Sequence, residues 1–128
     1  MICGDILDHA RPGGYDVVAA NFFLNVFAEP VMAEVLRHLA RQLRPGGRLL
    51  IADFAPAAGA PLPRALRWLY FGCAVLAFRV LAGNALHPMY DYPAQFPGAG
   101  LLPGESRGFR LLGRGPVVFR TLTGVRVG

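Results

Sequence analysis

His87, Tyr90 and Tyr92, whose side chains can hold or transfer a proton, lie in one short stretch of the chain. An imidazole titrates near neutral pH and can act as a general base, whereas a phenol can donate a hydrogen bond that orients a substrate. We therefore predict that His87 and Tyr90 are catalytic, as a base or as groups that orient the substrate. The alternative for His87, which Pro88 follows, is an ordinary loop histidine.

Aromatic side chains precede this stretch, in a segment that favours a helix. Residues 63–81 carry apolar residues on nearly every face of such a helix, including Trp68 and Phe71. A helix of this kind is buried, lines a pocket, or contacts another protein or a membrane surface. We predict that Trp68, Phe71 and Tyr92 line an apolar substrate pocket, with plain core packing as the alternative.

Two apolar runs and one amphipathic segment would position these residues. Residues 15–24 and 48–54 are short, nearly continuous apolar runs, which is typical of strands covered on both faces. Pro30 can open a helix between them. A strand, a helix and a second strand in this order predict a parallel pair. The apolar positions at helical spacing are Met32, Val35, Leu36, Leu39 and Leu43.

The C-terminal part of the chain is richer in turn residues. Residues 93–104 contain several prolines and glycines and are predicted to be a loop with weak helical potential. Residues 109–112 and 117–127 are predicted to be two closing strands. The glycines and the proline at 113–116 suit the tight turn of an antiparallel hairpin.

Composition and charge exclude several classes of protein. With 54% hydrophobic and 16% charged residues, the chain is far from the composition of a disordered protein. The 13 basic residues, all arginines, give a net charge of +5 but are scattered, whereas binding to nucleic acid requires a cluster. Cys3 and Cys73 have no paired spacing, so we predict no metal site and a reduced, cytoplasmic protein. The apolar run at 68–78 is too short to span a membrane.

The most specific motif is LRPGGRLLI at residues 43–51. Together with YDVV at 15–18, the helix between them and Asp53-Phe54, it resembles the fourth strand, fourth helix and fifth strand of class I S-adenosylmethionine-dependent methyltransferases. The resemblance extends from Gly4-Asp5 to the C-terminus. It implies an α/β fold with a partial Rossmann-like sheet, whose parallel strands are followed by a C-terminal antiparallel hairpin.

The same resemblance implies S-adenosylmethionine as the cofactor and methyl transfer as the reaction. It implies that Asp5 contacts the adenine amino group and that Ile6, Asn21 and Phe22 also line the cofactor site. Residues 21–25, NFFLN, lack the Asn/Asp-Pro-Pro-aromatic motif of enzymes that methylate amino groups of nucleic acids. We therefore expect a small-molecule acceptor that is methylated on oxygen or carbon.

The chain departs from the family where the cofactor is normally held. The glycine-rich turn after the first strand and the acid that binds the ribose are missing, since Gly98, Gly100 and Gly104 follow Phe96-Pro97 and not a strand. We interpret residues 1–128 as one domain, the C-terminal portion of an N-terminally truncated methyltransferase, with a remnant of its third strand at residues 1–6. We expect the chain to be inactive alone and to form homo-oligomers or bind a complementing N-terminal segment.

Two other functions remain open from the sequence. One is a non-catalytic pseudo-methyltransferase subunit that binds a partner chain through its open sheet edge. The other is a protein that lies on a membrane surface through the helix at 63–81, with arginines near its ends at the headgroups.

Overall fold

The computed structural model describes residues 4–55, 89–110 and 117–128, and also six separate helical positions, Ala65, Leu69, Gly72, Cys73, Leu76 and Val80. Three short 3₁₀ turns also lie in these ranges, at Ile6–Asp8, Leu24–Val26 and Pro97–Ala99. The strands and the longer helical elements follow in the order β1 (Tyr15–Asn21), α1 (Glu29–Gln42), β2 (Leu43–Phe54), α2 (Tyr92–Gln95), β3 (Leu101–Arg110) and β4 (Val117–Arg126).

The strands form one mixed sheet in the order β1-β2-β4-β3. β1 and β2 are parallel and α1 connects them, as the strand-helix-strand pattern predicts. β4 runs antiparallel to both β2 and β3, so the chain closes with an antiparallel hairpin. The predicted fold class, a partial Rossmann-like sheet with a C-terminal hairpin, is confirmed.

The hydrophobic core lies between α1 and one face of the sheet. The apolar side chains that recur at helical spacing between residues 32 and 43 are all buried, and they pack with Leu49 and Ile51 of β2. Pro30 lies in the first turn of α1, where its missing N–H costs no hydrogen bond. The buried positions predicted from the helical spacing are Met32, Val35, Leu36, Leu39 and Leu43.

The opposite face of the sheet, called here the open face, is largely exposed. Along β2 the residues alternate, so that Leu49 and Ile51 are buried while Leu50 is 41% exposed. In β1 only Ala20 is buried. The prediction that both strands are covered on both faces is therefore wrong for the described part of the chain, because α1 and α2 pack against the same face.

The element boundaries also differ from the predictions. β1 ends at Asn21 and not at residue 24, because Phe22 adopts a positive φ and a 3₁₀ turn follows it. β2 starts at Leu43, five residues earlier than predicted, because Leu43 pairs with Tyr15. At the N-terminus, Ile6 opens a 3₁₀ turn and is not in a strand, while residues 1–3 lie outside the described part.

β3 begins at Leu101, within a stretch predicted to be a loop. It pairs only with β4 in the described sheet and is therefore an edge strand. Pro103 is tolerated at an edge because its missing N–H can face away from the partner strand. The other half of the predicted strand, residues 111 and 112, lies outside the described residues.

The turn between α1 and the central part of β2 depends on two glycines for different reasons. Gly46 has a φ of +75°, in the left-handed region that favours glycine. Gly47 is held so closely that a Cβ atom there would lie 2.8 Å from the backbone oxygen of Arg44. The Pro-Gly-Gly motif therefore redirects the chain from the helix into the sheet, as predicted.

No helix in the described part of the chain is long and apolar enough to cross a membrane.

Candidate functional site at the carboxyl ends of two parallel strands

The carboxyl ends of β1 and β2 lie side by side because the strands are parallel. Asn21 and Phe22 lie at the end of β1, and Asp53 and Phe54 at the end of β2. In open α/β sheets this edge is where ligands bind. A ligand is therefore expected to bind at this edge.

Asp53 is a buried acid at this edge. Its position, two residues after Ile51, places it on the core face of β2, and it is 4% exposed. Its carboxylate accepts hydrogen bonds from Nδ2 of Asn25 at 3.0 Å and from the backbone N–H of Phe54 at 2.7 Å. The Tyr92 hydroxyl donates a third. Burial raises the pKa of Asp53 even though these donors and Arg120 oppose the shift.

The two tyrosines near Asp53 are hydrogen-bond donors. Tyr92 is 1% exposed, and burial, with the adjacent Asp53, raises the pKa of its phenol well above the ordinary value. The Tyr90 hydroxyl donates to the backbone oxygen of Phe27 at 2.8 Å, and burial, with the charge of Glu29, raises the pKa of Tyr90. Both phenols therefore stay protonated at neutral pH and cannot act as bases there.

Arg120 joins this group from β4. Its guanidinium donates to the backbone oxygen of Tyr90 at 2.9 Å, and its charge favours the ionised form of Asp53. Within the described structure, Oδ1 of Asn25 and Nε of Arg120 are buried without a hydrogen-bond partner. We call Asn25, Asp53, Tyr90, Tyr92 and Arg120 the Asp53 cluster. Hydrogen bonds within this cluster connect the turn after β1 to the end of β2 and to residues 90–92.

Three phenylalanine rings lie on the other face of the same edge. The ring centroids of Phe22, Phe54 and Phe119 are 5.3 to 5.7 Å apart, at distances typical of interacting aromatic pairs. The backbone N–H of Phe22 donates to the oxygen of Ala52 at 2.8 Å, which extends the ladder beyond β1. Phe22 has a φ of +49° and is 45% exposed. A large non-glycine residue in this conformation is strained, and such residues cluster at functional sites.

The structure brings four of the predicted site residues to this region. Asn21 and Phe22 lie at the end of β1, and Tyr90 and Tyr92, whose rings are 6.2 Å apart, belong to the Asp53 cluster. Asp5 instead caps the first 3₁₀ turn, where its carboxylate accepts from the backbone N–H of Leu7 at 2.9 Å. The remaining predictions fall elsewhere: Ile6 packs against the core, and His87, Trp68 and Phe71 lie outside the described residues.

The sequence interpretation missed Asn25, Asp53 and Arg120 as members of a site. One signal was present, because Asp53 continues the alternation of Leu49 and Ile51 and therefore points to the core. A carboxylate on the buried side of a strand needs partners. Those partners lie far away in the sequence, and nothing local identifies them.

Solved structures of methyltransferases share this fold. A Burkholderia thailandensis 1,6-didemethyltoxoflavin-N1-methyltransferase, solved with 1,6-didemethyltoxoflavin and S-adenosylhomocysteine, matches 99% of the chain with a TM-score of 0.70 at 13% identity. A SAM-dependent methyltransferase from Methanosarcina mazei matches 97% with a TM-score of 0.65 at 14% identity. An O-methyltransferase family protein from Burkholderia thailandensis matches 91% with a TM-score of 0.64 at 28% identity.

In each case the chain spans less than two thirds of the matched protein: 50%, 65% and 31% of the three chains in the same order. No protein-family model matches the sequence, and no curated protein matches it. The chain therefore has part of the class I SAM-dependent methyltransferase fold. This confirms the resemblance drawn from the LRPGGRLLI motif.

Proposed function

We propose that this chain is part of an S-adenosylmethionine-dependent methyltransferase that methylates a small molecule on oxygen or carbon. One observation carries the proposal: the strand ends that hold Asn21, Phe22 and Asp53 belong to a sheet that matches methyltransferases over nearly the whole chain. Two of the matched proteins are an N1-methyltransferase of a small molecule and an O-methyltransferase family protein. We further propose that the protein acts in the cytoplasm, consistent with its lack of paired cysteine spacing.

The cofactor would lie against the end of β1. Asn21 offers an exposed amide and Phe22 an exposed ring at this position, and these are groups that can contact an amino acid and a nucleoside. Asp5 and Ile6 would contact the adenine. S-adenosylmethionine supplies an activated methyl group, so the protein must mainly align it with the acceptor.

The described site is a poor fit for the ribose. Asp53 lies near the end of β2, but its carboxylate already accepts from Asn25, Phe54 and Tyr92, and the residue is 4% exposed, so it does not face a ribose. Micromolar binding is about 8 kcal/mol, and each hydrogen bond to a charged group contributes roughly 1.5–3 kcal/mol. Without the ribose acid and the glycine-rich turn, binding should fall to the millimolar range. We therefore propose that another polypeptide segment completes the cofactor site.

The acceptor would be held on the side of residues 87–92. His87 is the proposed base, because the phenols of Tyr90 and Tyr92 stay protonated at neutral pH. Tyr90 would orient the acceptor by donating a hydrogen bond, which requires its hydroxyl to leave the backbone oxygen of Phe27. Trp68, Phe71 and Tyr92 would form the apolar wall, which requires the buried Tyr92 side chain to turn away from Asp53.

A non-catalytic subunit is the second candidate function. The exposed hydrophobic residues on the open face of the sheet support it, because large apolar patches mark contacts with other proteins. On this alternative the chain binds a partner but no S-adenosylmethionine under any condition.

Calorimetry with S-adenosylhomocysteine distinguishes the methyltransferase from the non-catalytic subunit. The chain alone should bind it with a dissociation constant weaker than about 10 µM, near 7 kcal/mol. An extended protein, in which the chain is joined to a segment that supplies the glycine-rich turn and the ribose acid, should bind more tightly. In it, Asn21→Ala should weaken binding whereas Arg37→Ala, exposed on α1, should not. Tight binding by the chain alone would refute the need for completion, and no binding by the extended protein would refute the enzyme.

A further inference from the structure

β3 has one free edge, because it pairs only with β4 in the described sheet. Nine of its ten residues are exposed, and only Leu101 is buried. An edge strand presents unpaired backbone N–H and C=O groups on which another strand can form hydrogen bonds. This edge lies at the end of the sheet opposite β1, so a strand bound there would leave the candidate site at the ends of β1 and β2 free.

The hydrogen bonds of β4 determine which backbone groups of β3 point to the free edge. The backbone N–H of Ala55 donates to the oxygen of Val118 at 2.9 Å. In an antiparallel pair, this bond directs the N–H and C=O of the following residue, Phe119, away from β2 and towards β3. Alternate residues of β4 do the same, including Thr121, which is in register with Arg107. The backbone groups of Arg107 therefore face β4.

The neighbours of Arg107 in β3 face the other way. Ser106 and Gly108 each direct an N–H and a C=O to the free edge, because the backbone groups of successive residues point to opposite sides of a strand. Pro103 has no N–H, and a register shift separates it from Ser106. The stretch able to pair with another strand is therefore short and centres on residues 104–108.

The charges of this stretch are mirrored about its central residue, Ser106. Glu105 precedes it, Arg107 follows it, and a glycine lies beyond each. Glu105 and Arg107 are two positions apart in the strand, so both side chains lie on the open face, and both are exposed. The described part of the chain contains one ion pair, between Arg44 and Asp16, so neither side chain is ion-paired there. The sequence GESRG is therefore complementary to an antiparallel copy of itself.

We propose that two copies of the chain form a symmetric dimer in which their β3 strands pair antiparallel through the free edges, with the two-fold axis at Ser106. In this register the two Ser106 residues exchange backbone hydrogen bonds. Glu105 of each copy lies opposite Arg107 of the other, in a non-hydrogen-bonded pair, where facing side chains are closest. A two-fold interface is self-complementary, so each charge pair occurs twice.

The charges select this register and this occupant. Moving the axis by one residue would also satisfy the backbone groups, but it would place the two Arg107 side chains directly opposite each other. Like charges in facing positions destabilise a strand pair. A strand of different sequence would gain the backbone hydrogen bonds but not both charge pairs, whereas a second copy supplies both. The inference does not depend on methyl transfer, since the interface uses no residue of the candidate site.

Reciprocal charge variants test this interface. In sedimentation equilibrium over a range of concentrations, the wild-type chain should dimerise, and Glu105→Arg and Arg107→Glu should each weaken dimerisation about tenfold at low salt because both place like charges opposite each other. An equimolar mixture of the two variants should dimerise as strongly as the wild type, because each supplies the charge that the other requires. Glu34→Arg, at an exposed position of α1, is the control and should change nothing.

Cross-linking tests the register with one small substitution. Facing Cβ atoms in a strand pair lie about 5.5 Å apart. A short thiol-reactive cross-linker should therefore join two Ser106→Cys chains in which Cys3 and Cys73 are replaced by serine. Leu102→Cys in the same background is the control, because its two copies would lie roughly eight positions, or about 27 Å, apart along the paired strands.

A wild-type chain that stays monomeric at millimolar concentration would overturn the inference. Dimers of equal strength for the wild type and both charge variants would also overturn it, because the chain would then associate through the edge of β1 or the open face. Failure of Ser106→Cys to cross-link, or equal cross-linking of Leu102→Cys, would have the same meaning even where a charge variant does not fold.

Discussion

The buried acid Asp53 makes the stability of this fold depend on pH. Its carboxylate holds three donors from separate parts of the chain, yet burial outweighs them and its pKa is raised. The folded state therefore binds this proton more tightly than the unfolded state does. The stability that the protonated acid contributes is fully present below the ordinary pKa of 3.8 and is lost as the pH rises through the raised value.

Asp53→Asn should consequently change the pH dependence of stability. Asparagine does not ionise. The free energy of unfolding of the variant should therefore increase relative to that of the wild type as the pH rises above 3.8. Urea unfolding of both proteins from pH 3.5 upward measures the difference. Parallel curves across this range would show that Asp53 titrates alike in the folded and unfolded chain.

Gly46 is a second residue whose role can be measured. Because its φ is +75° and nothing lies within 4 Å of a Cβ built there, a substitution acts through the backbone alone. Gly46→Val should lower the free energy of unfolding by more than about 1 kcal/mol, and Gly46→Asn should cost less because asparagine tolerates this conformation. Gly98→Ala, also in open space but without a positive φ, is the control. Equal stability of all three variants would contradict the turn assignment.

At the scale of elements, α1 carries most of the core that the sequence could reveal. Its side chains at helical spacing are buried against Leu49 and Ile51 of β2. Leu36→Ala should lower the free energy of unfolding by about 2–5 kcal/mol, because Leu36 is 1% exposed and the substitution leaves a cavity. Val31→Ala, on the same helix but 41% exposed, should change it little. Chemical denaturation measures both variants. Similar losses in the free energy of unfolding would contradict the packing of the Leu36 side of α1 against the sheet.

The sequence predicted α1, the turn at Gly46 and the parallel pair because each has a local cause. Helical spacing, turn chemistry and apolar runs are all properties of adjacent residues. β3 could not be predicted in the same way, since nine of its ten residues are exposed and its composition resembles a loop. Its pairing with β4 makes it a strand, and that pairing is a property of the folded chain.

The candidate site also contains residues that the sequence identified and residues that it did not. Asn21 and Phe22 were named through the family resemblance, and they lie at the end of β1. The Asp53 cluster could not be predicted, because Asn25 and Tyr92 lie 28 and 39 residues from Asp53 in the sequence. Only the folded chain brings them together, and the acid on the buried face of β2 was the one local sign.

At the scale of the whole molecule, the described sheet is open in two directions. β1 pairs with β2 on one side only, and the face opposite α1 is exposed. An unpaired strand edge is a site of association with other chains. Residues 7–14, which precede β1, are also too few for the crossover of a dozen or more residues that a parallel partner for β1 would need.

Residue-resolved amide hydrogen exchange in β1 tests the open edge most directly. Alternate amides of a strand face opposite sides, and the Phe22 amide, which donates to Ala52, faces β2. In the monomeric chain, amides that face β2 should be protected and the alternate ones within Tyr15–Asn21 should exchange nearly as fast as those of exposed loops. Slow exchange of every amide of β1 in a monomer with a cooperative thermal transition would contradict the account, because the chain would then have closed its own sheet.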